Sequence, residues 1–322
     1  MSITKHQRNT LSALMRLVLI MTLLIPMLAR AGEEHFPKFS LRLAGQAEIL
    51  TIGDINTALS VFNNDDELEY IRKNNPSWGQ VQGSVRPLNK PFVTWEPELR
   101  IDLSRRFGIG LSISGAIQKQ NESSLTFIFY PGDSSIWPYN YYFKPEISVR
   151  MPLKLTLYYY CLQRSSFSVY ACAGVGYYAG KMHEQFNFDE TNGYSGDVFW
   201  SKRYWETNTR SSLGMHFGMG AEILLTRNLS LTGEIQWRYA RIGNFRATNL
   251  YETSDTSPEA TTGYLWYLTK DELFIGGRVG DLMVSEVNPA EIYSIYFYGN
   301  VHKAVLDLSA LSIKIGLRLR LF

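Results

Sequence analysis

Charged side chains at alternate positions are the residues of this chain with chemistry to do. Glu96, Glu98, Arg100 and Asp102 form one such row, with apolar residues between them. Arg42 and Glu48, then Lys144, Glu146, Arg150 and Lys154, form others. Glu222, Glu234 and Arg238, and finally Lys314, Arg318 and Arg320, complete the set, seven acids against nine bases. An isolated buried charge costs several kcal/mol, so charges converging on one interior must pair. Such a set would act as a salt-bridged plug; the alternative is a narrow ion path.

Catalytic constellations are weaker. His216 and Glu222 share one alternation with Ser212 nearby, but six strand residues separate them by about 20 Å, too far for a hydrogen-bonded dyad. His183, Glu184, Asp189 and Asp197 gather in one connection, where nothing in their spacing sets a mutual geometry. No enzyme is expected, and neither a metal nor a cofactor. Cys161 and Cys172 fall on opposite faces of adjacent segments and out of register, which predicts two free thiols. A net charge of +2 argues for no nucleic-acid partner.

The elements that carry these residues show a period of two, the signature of strands with two unlike faces. Eight segments have it, near 39–49, 93–103, 108–118, 143–157, 167–177, 213–223, 229–237 and 311–321. In the last, Leu311, Ile313, Ile315, Leu317, Leu319 and Leu321 oppose Ser312, Lys314, Arg318 and Arg320. Three connections are tight, at 104–107, 162–166 and 226–228, and they alternate with long ones at 53–91, 121–140, 185–206 and 244–307. Tight turns at one end and long loops at the other are the layout of a membrane barrel. Glycines on the polar face, such as Gly174, Gly176, Gly214, Gly218 and Gly220, suit a crowded narrow interior. Trp137, Tyr139, Tyr141 and Tyr142, Tyr158 to Tyr160, and Trp237 with Tyr239 are expected as interfacial aromatic girdles.

The fold expected is therefore all-β: an antiparallel up-and-down transmembrane β-barrel of eight strands, with long extracellular loops and short periplasmic turns. Before it, Lys5, His6, Arg8 and Arg16 precede the apolar run Leu17–Leu28, and Ala29-Arg30-Ala31 supplies a cleavage site. Residues 1–31 read as a cleaved signal peptide and 32–322 as a single barrel domain. The export route and the barrel together place it in the outer membrane of a two-membraned, Gram-negative type bacterium. A ten-strand barrel is the alternative, since 263–269 and 273–279 could pair around Lys270-Asp271-Glu272. Seven residues each fall short of the ~9–11 needed to cross, so this pair is expected as a hairpin outside the membrane.

In this layout, with a last strand ending at Phe322, the chain resembles the small bacterial outer-membrane barrel proteins, such as the OmpA transmembrane domain and OmpX. The resemblance implies insertion by the barrel-assembly machinery, which reads a terminal phenylalanine. The phase departs from that pattern: two, four and six residues before Phe322 stand Arg320, Arg318 and Gly316 rather than apolar residues. It implies contact with outer-membrane lipid and lipopolysaccharide, and a monomer.

The loops hold the binding prospects. Asp54 is placed to cap a helix with Ile55, Leu59 and Phe62 on one face, and a second short helix with Leu68 and Ile71 inward is expected after Asn64. Phe186, Phe188, Tyr194, Phe199, Trp200, Tyr204 and Trp205 form a dense aromatic set in the third loop. The function expected is surface binding, adhesion or envelope integrity by a closed, charged barrel; a narrow channel for small solutes or ions is the alternative.

Overall fold

The computed structural model describes residues 36–61, 79–88, 90–129, 137–192, 195–271, 278–289 and 301–321. The expected signal peptide, the second loop helix, Phe62, Tyr194 and Phe322 lie outside these residues. In chain order the elements are β1 (Lys38–Gly53), α1 (Asp54–Val61), β2 (Gly79–Gly83), β3 (Phe92–Asp102), β4 (Phe107–Ile113), β5 (Ile117–Gln120) and β6 (Ser123–Phe129). Then come β7 (Trp137–Val149), β8 (Leu153–Gln163), β9 (Phe167–Thr191), β10 (Val198–Thr207), β11 (Arg210–Leu224) and β12 (Leu229–Tyr239). The chain ends with β13 (Arg241–Ile242), β14 (Arg246–Thr253), β15 (Glu259–Asp271), β16 (Arg278–Ser285), β17 (His302–Lys303) and β18 (Leu306–Arg320).

Eight strands close a ring. Antiparallel pairing runs from β1 through β3, β4, β8, β9, β11 and β12 to β18, and β18 returns to β1 with Leu43 opposite Leu317. Leu213, Met219, Ile315 and Leu43 are among the many large apolar side chains left exposed on its outside, while the opposite face of each strand is buried. On β18 the exposed apolar residues run from Leu311 to Leu319, the ~9–11 residues that a tilted strand needs to cross. Closure satisfies every ladder position without an edge, which is the condition for crossing hydrocarbon with strands. The structure is an antiparallel up-and-down transmembrane β-barrel, with its three tight turns at the periplasmic end and its long connections outside; a barrel of this kind is an outer-membrane structure.

Above the membrane the faces exchange roles. The inward positions of β18 are polar from Ser312 to Arg318 but apolar at Leu306, Leu308 and Ala310. The inward row of β12 ends likewise, at Arg238, and continues as Ala240 and Ile242. These strands keep their phase and change their composition. Two others change phase instead. β4 and β5 are separated by Ser114-Gly115-Ala116, opposite a matching interruption at Arg150-Met151-Pro152 between β7 and β8. The Ser114 N–H donates to the Pro152 carbonyl at 3.0 Å and the Gly115 N–H to the Trp95 carbonyl at 2.8 Å. Beyond the break Ile117, Phe143, Ile147 and Val149 point inward. The uninterrupted strands expected over 108–118 and 143–157 are thus each two strands with opposite facing, because water surrounds the upper part and lipid the lower.

The long connections are themselves mostly sheet. β2, β6, β7, the far half of β9, β10, β14, β15 and β16 pair in that order above the membrane. The expected hairpin exists outside the ring, but its second strand is Arg278–Ser285 rather than 273–279, with Leu265 opposite Val284. α1 buries Ile55, Ala58 and Leu59 against this upper core. Asp54 does not serve as that helix's own cap. Its carboxylate accepts from the Val305 N–H at 2.8 Å and contacts His302 Nε2 at 3.0 Å. The entry to α1 needs glycine at 53, where φ is +75° and a Cβ would lie 2.6 Å from the Val305 carbonyl oxygen.

Candidate functional site

The inward faces of the eight ring strands bring the charged rows together in layers. Nearest the tight turns, Arg318 meets Asp102 at 2.5 Å and Glu222 at 2.8 Å, and Arg320 reaches Glu222 at 2.7 Å. Arg318 also donates to Ser40 Oγ at 2.8 Å and to the Tyr160 hydroxyl at 2.7 Å. One layer up, Arg100 Nε donates to Glu98 at 2.8 Å and its guanidinium lies 3.4 Å from the Tyr158 ring centroid. The Tyr158 hydroxyl donates to Glu98 at 2.8 Å, and Arg42 donates to Glu234 at 2.8 Å.

The middle layer centres on Glu96. Its two carboxylate oxygens take Lys154 at 2.6 Å and Lys314 at 2.7 Å, and the Ser114 hydroxyl donates to it at 2.8 Å. Lys314 also stands 3.3 Å from Glu234. Highest of all, Arg238 forms a two-pronged pair with Glu48 at 2.9 and 3.0 Å. Immediately beyond it the apolar core begins, with Leu50, Ala240, Leu308 and Tyr178 buried together.

Thirteen of the expected lumenal charges stand in these layers: Arg42, Glu48, Glu96, Glu98, Arg100, Asp102, Lys154, Glu222, Glu234, Arg238, Lys314, Arg318 and Arg320. Three do not. Lys144 pairs with Glu122, Glu146 bonds Gln118 and His183, and Arg150 is exposed. Lys144 and Glu146 precede the break at 150–152, where β7 faces the other way, and Arg150 opens it, so all three stand on the outside in water. Tyrosines are the lumenal residues that the sequence reading misplaced. Tyr158 and Tyr160 were expected in an aromatic girdle but are buried inside, while Tyr159 alone is exposed between them. Their parity with Lys154 and Thr156 was the available signal. Trp137, Tyr139, Tyr141 and Tyr142 stand in the upper sheet rather than in a girdle; Trp237 and Tyr239 do face outward, stacked at 6.1 Å.

Glycine makes the crowding possible at two positions. A Cβ on Gly174 would lie 2.1 Å from the Leu155 carbonyl oxygen and 2.6 Å from His216 Nε2, and one on Gly176 would strike the Tyr178 ring at 2.7 Å. His216 rests there, 2.9 Å from Thr156 Oγ1, as a member of the packing. Several buried polar atoms in this interior have no protein partner, among them both amide atoms of Gln46, His216 Nδ1 and the Tyr178 hydroxyl.

The acids around His183 are not assembled. His183 faces outward to Glu146 at 3.1 Å, whereas Glu184 faces inward. Asp189 and Asp197 lie farther along, both exposed. Cys161 is an exposed free thiol and Cys172 a buried one. Among the described residues, no three His, Cys, Asp or Glu side chains gather as they would around a metal ion.

The aromatic set of the third connection divides in two. Trp205 is fully buried, donating its indole N–H to Glu184 at 3.0 Å. Phe186 packs at a tilt against Phe143 at 5.1 Å and Phe188 against Tyr141 at 5.1 Å. Phe199 and Tyr204 remain exposed, with Trp200 between buried and exposed. Next to Tyr204 a shallow depression is lined by Gln185, Asn187, Lys202, Leu250 and Glu252.

Burial pushes the Glu184 carboxyl above its ordinary range; Arg203 and the Trp205 indole oppose that rise and Asp281 adds to it. A carboxyl raised in the folded state binds its proton more readily there than in the unfolded chain. Stability therefore increases as pH falls through the folded value, and the ionised form is a cost at neutral pH. Glu184→Gln is expected to be more stable than the parent at pH 7–8. That advantage should shrink as the pH approaches the ordinary glutamate range, as read by urea unfolding in detergent at several pH values; an advantage independent of pH would refute it.

No protein-family model matches the chain, and no curated protein matches it. Among solved structures it is similar to the outer membrane protein OprG from Pseudomonas aeruginosa, at 10% identity over 88% of this chain and 95% of that one, with a TM-score of 0.36. It is also similar to the outer membrane protein AlkL in lipid bilayers, at 11% identity over 91% of this chain and 93% of that one, TM-score 0.33. A third similarity is to Ail, the attachment invasion locus protein of Yersinia pestis, solved with the heparin analogue sucrose octasulfate, at 10% identity over 88% and 99%, TM-score 0.30.

Proposed function

We propose that this chain is a non-catalytic outer-membrane barrel, closed by its own side chains, that presents an aromatic-bearing sheet outside the cell for surface binding, adhesion or envelope integrity. The observation that supports this reading best is the burial and pairing of charged side chains across the lumen. Six buried bases (Arg42, Arg100, Lys154, Arg238, Lys314 and Arg318) meet five buried acids (Glu48, Glu96, Glu98, Glu222 and Glu234) and the part-buried Asp102. With Arg320 at the rim, seven bases in these layers face six acids, so the interior is close to charge balance and offers no large excess of one sign to select an ion. An eight-stranded barrel has an interior that side chains just fill. Above it the apolar core of Leu50, Leu308, Ile242, Phe245 and Leu306 would present a dry barrier to a hydrated ion.

Exposed Phe199 and Tyr204, with Trp200 and Lys202 beside them, are the candidate contact residues for a surface ligand. Lysine and aromatic faces together favour an anionic or sugar-bearing surface. The unpartnered atoms of Gln46, His216 and Tyr178 favour a second reading, a hydrated path that conducts when the upper core loosens.

Single-channel recording of the refolded chain in a planar bilayer separates the two. The closed reading expects no discrete openings from protein shown to be folded by its heat-modifiable migration. Reproducible openings whose selectivity changes in Glu98→Gln would overturn it in favour of the channel.

A further inference from the structure

Every tight turn carries arginine. The turn between β3 and β4 holds Arg105 and Arg106, that between β8 and β9 holds Arg164, and that between β11 and β12 holds Arg227. Lys38 starts β1 on the remaining side of the ring, beside Arg320 at the end of β18. Residues 103–107, 162–167 and 225–229 include no Asp or Glu. The acids nearest this rim are already engaged, Asp102 by Arg318 at 2.5 Å and Glu222 by Arg318 and Arg320 at 2.8 and 2.7 Å. Arg106, Arg164 and Arg227 are exposed and form no ion pair among the described residues. The opposite end is different in kind, since its cations are interleaved with acids, as in Lys144–Glu122, Lys181–Glu206 and Arg246–Glu286.

Depth decides what such a collar meets. The lipid-facing apolar residues end at Leu103, Phe107, Leu162, Leu225 and Leu319, all exposed. The arginines follow one or two residues later, about 3–7 Å along the chain, which is the level of lipid phosphates. The turns that carry them are tied. Leu103 N–H donates to the Phe107 carbonyl at 2.8 Å, Arg164 N–H to Phe167 at 2.8 Å and Leu225 N–H to Leu229 at 2.9 Å. Guanidinium groups projected from fixed points into the headgroup plane can take phosphate oxygens two at a time.

We propose that the tight-turn rim is a binding collar for anionic phospholipid headgroups of the phosphatidylglycerol class in the leaflet on that side. The proposal rests on the membrane-spanning fold and is independent of whether the lumen conducts. The collar would hold the barrel at a set depth and enrich acidic lipid around it.

The test titrates the refolded chain in uncharged detergent with short-chain phosphatidylglycerol and with phosphatidylcholine of the same acyl length, bound lipid being counted by native mass spectrometry. The expected result is at least tenfold tighter binding of phosphatidylglycerol, weakening as salt screens the rim. The triple variant R106Q/R164Q/R227Q should bind the two lipids within twofold of each other, and R106K/R164K/R227K should keep most of the preference. A loop-end control of equal charge loss, R86Q/R241Q/R246Q, should behave as the parent. Equal binding of the two lipids by the parent overturns the proposal without reference to any variant. So does a preference that survives the glutamine triple, or one abolished by inorganic phosphate at the lipid's concentration, which would mark a phosphate site rather than a lipid one.

Discussion

Glu96→Ala is expected to lower the unfolding free energy of the refolded barrel by about 3–5 kcal/mol, the usual cost of removing one partner from a buried ion pair. Glu96 is the most shared acid in the lumen. Lys154 and Lys314 each hold one of its oxygens, at 2.6 and 2.7 Å, and Arg42 stands at 3.8 Å. Without the carboxylate two buried ammonium groups face each other with only Glu234 within salt-bridge reach of one of them. Adding Lys154→Met should recover much of the loss, because it removes a charge left without compensation and fills its volume. Urea unfolding in lipid vesicles measures both variants. A Glu96→Ala cost below about 1 kcal/mol, the size of an exposed pair, would mean the lumen is wet enough to solvate the lysines, and would weaken the closed reading.

Trp205→Ala is expected to cost about 3–5 kcal/mol, the range for truncating a buried aromatic side chain. The side chain is fully buried in the upper core, and its indole N–H is a hydrogen-bond donor to the buried Glu184 carboxylate. Truncation opens a cavity and also strips that carboxylate of a donor. The two effects are separable by a double-mutant cycle. In a Glu184→Gln background, the cost of Trp205→Ala should fall by the part that belonged to the charge. Full additivity would show that the hydrogen bond contributes nothing beyond packing. The readout is unfolding of the upper core followed by near-ultraviolet circular dichroism, with the membrane ring kept folded in vesicles as the internal reference.

Period-two patterning in β1, β3, β9, β11, β12 and β18 was legible from the residues alone, because side chains alternate between two solvents as unlike as lipid and a charged interior. So were the tight turns, whose brevity leaves no other geometry, and the membership of Arg42, Glu96, Glu234, Lys314 and Arg318 in one inward set. The helix after Gly53 and the hairpin outside the ring were legible as elements, although the hairpin's second strand begins at Arg278. The assignment of Lys144, Glu146 and Arg150 to the lumen failed for one reason. Alternation reports which residues share a face but not which way that face points, and three residues at 150–152 reverse it without disturbing the pattern on either side.

Sequence by itself therefore determined the eight-strand ring and its tight-turn and loop ends, since each follows from local periodicity and composition. Tertiary structure alone decided which carboxylate meets which cation. Glu96 with Lys314 and Glu48 with Arg238 are partners far apart in the chain, brought together by shear and closure rather than by spacing. It also decided that the barrel wall continues above the membrane with an apolar interior, burying Trp205 while leaving Phe199 and Tyr204 outside. The physical reason is the change of solvent at the membrane surface: the same alternating strand must hide its polar face from lipid below and its apolar face from water above. Where that boundary falls is set by how the strands stack, not by any one of them.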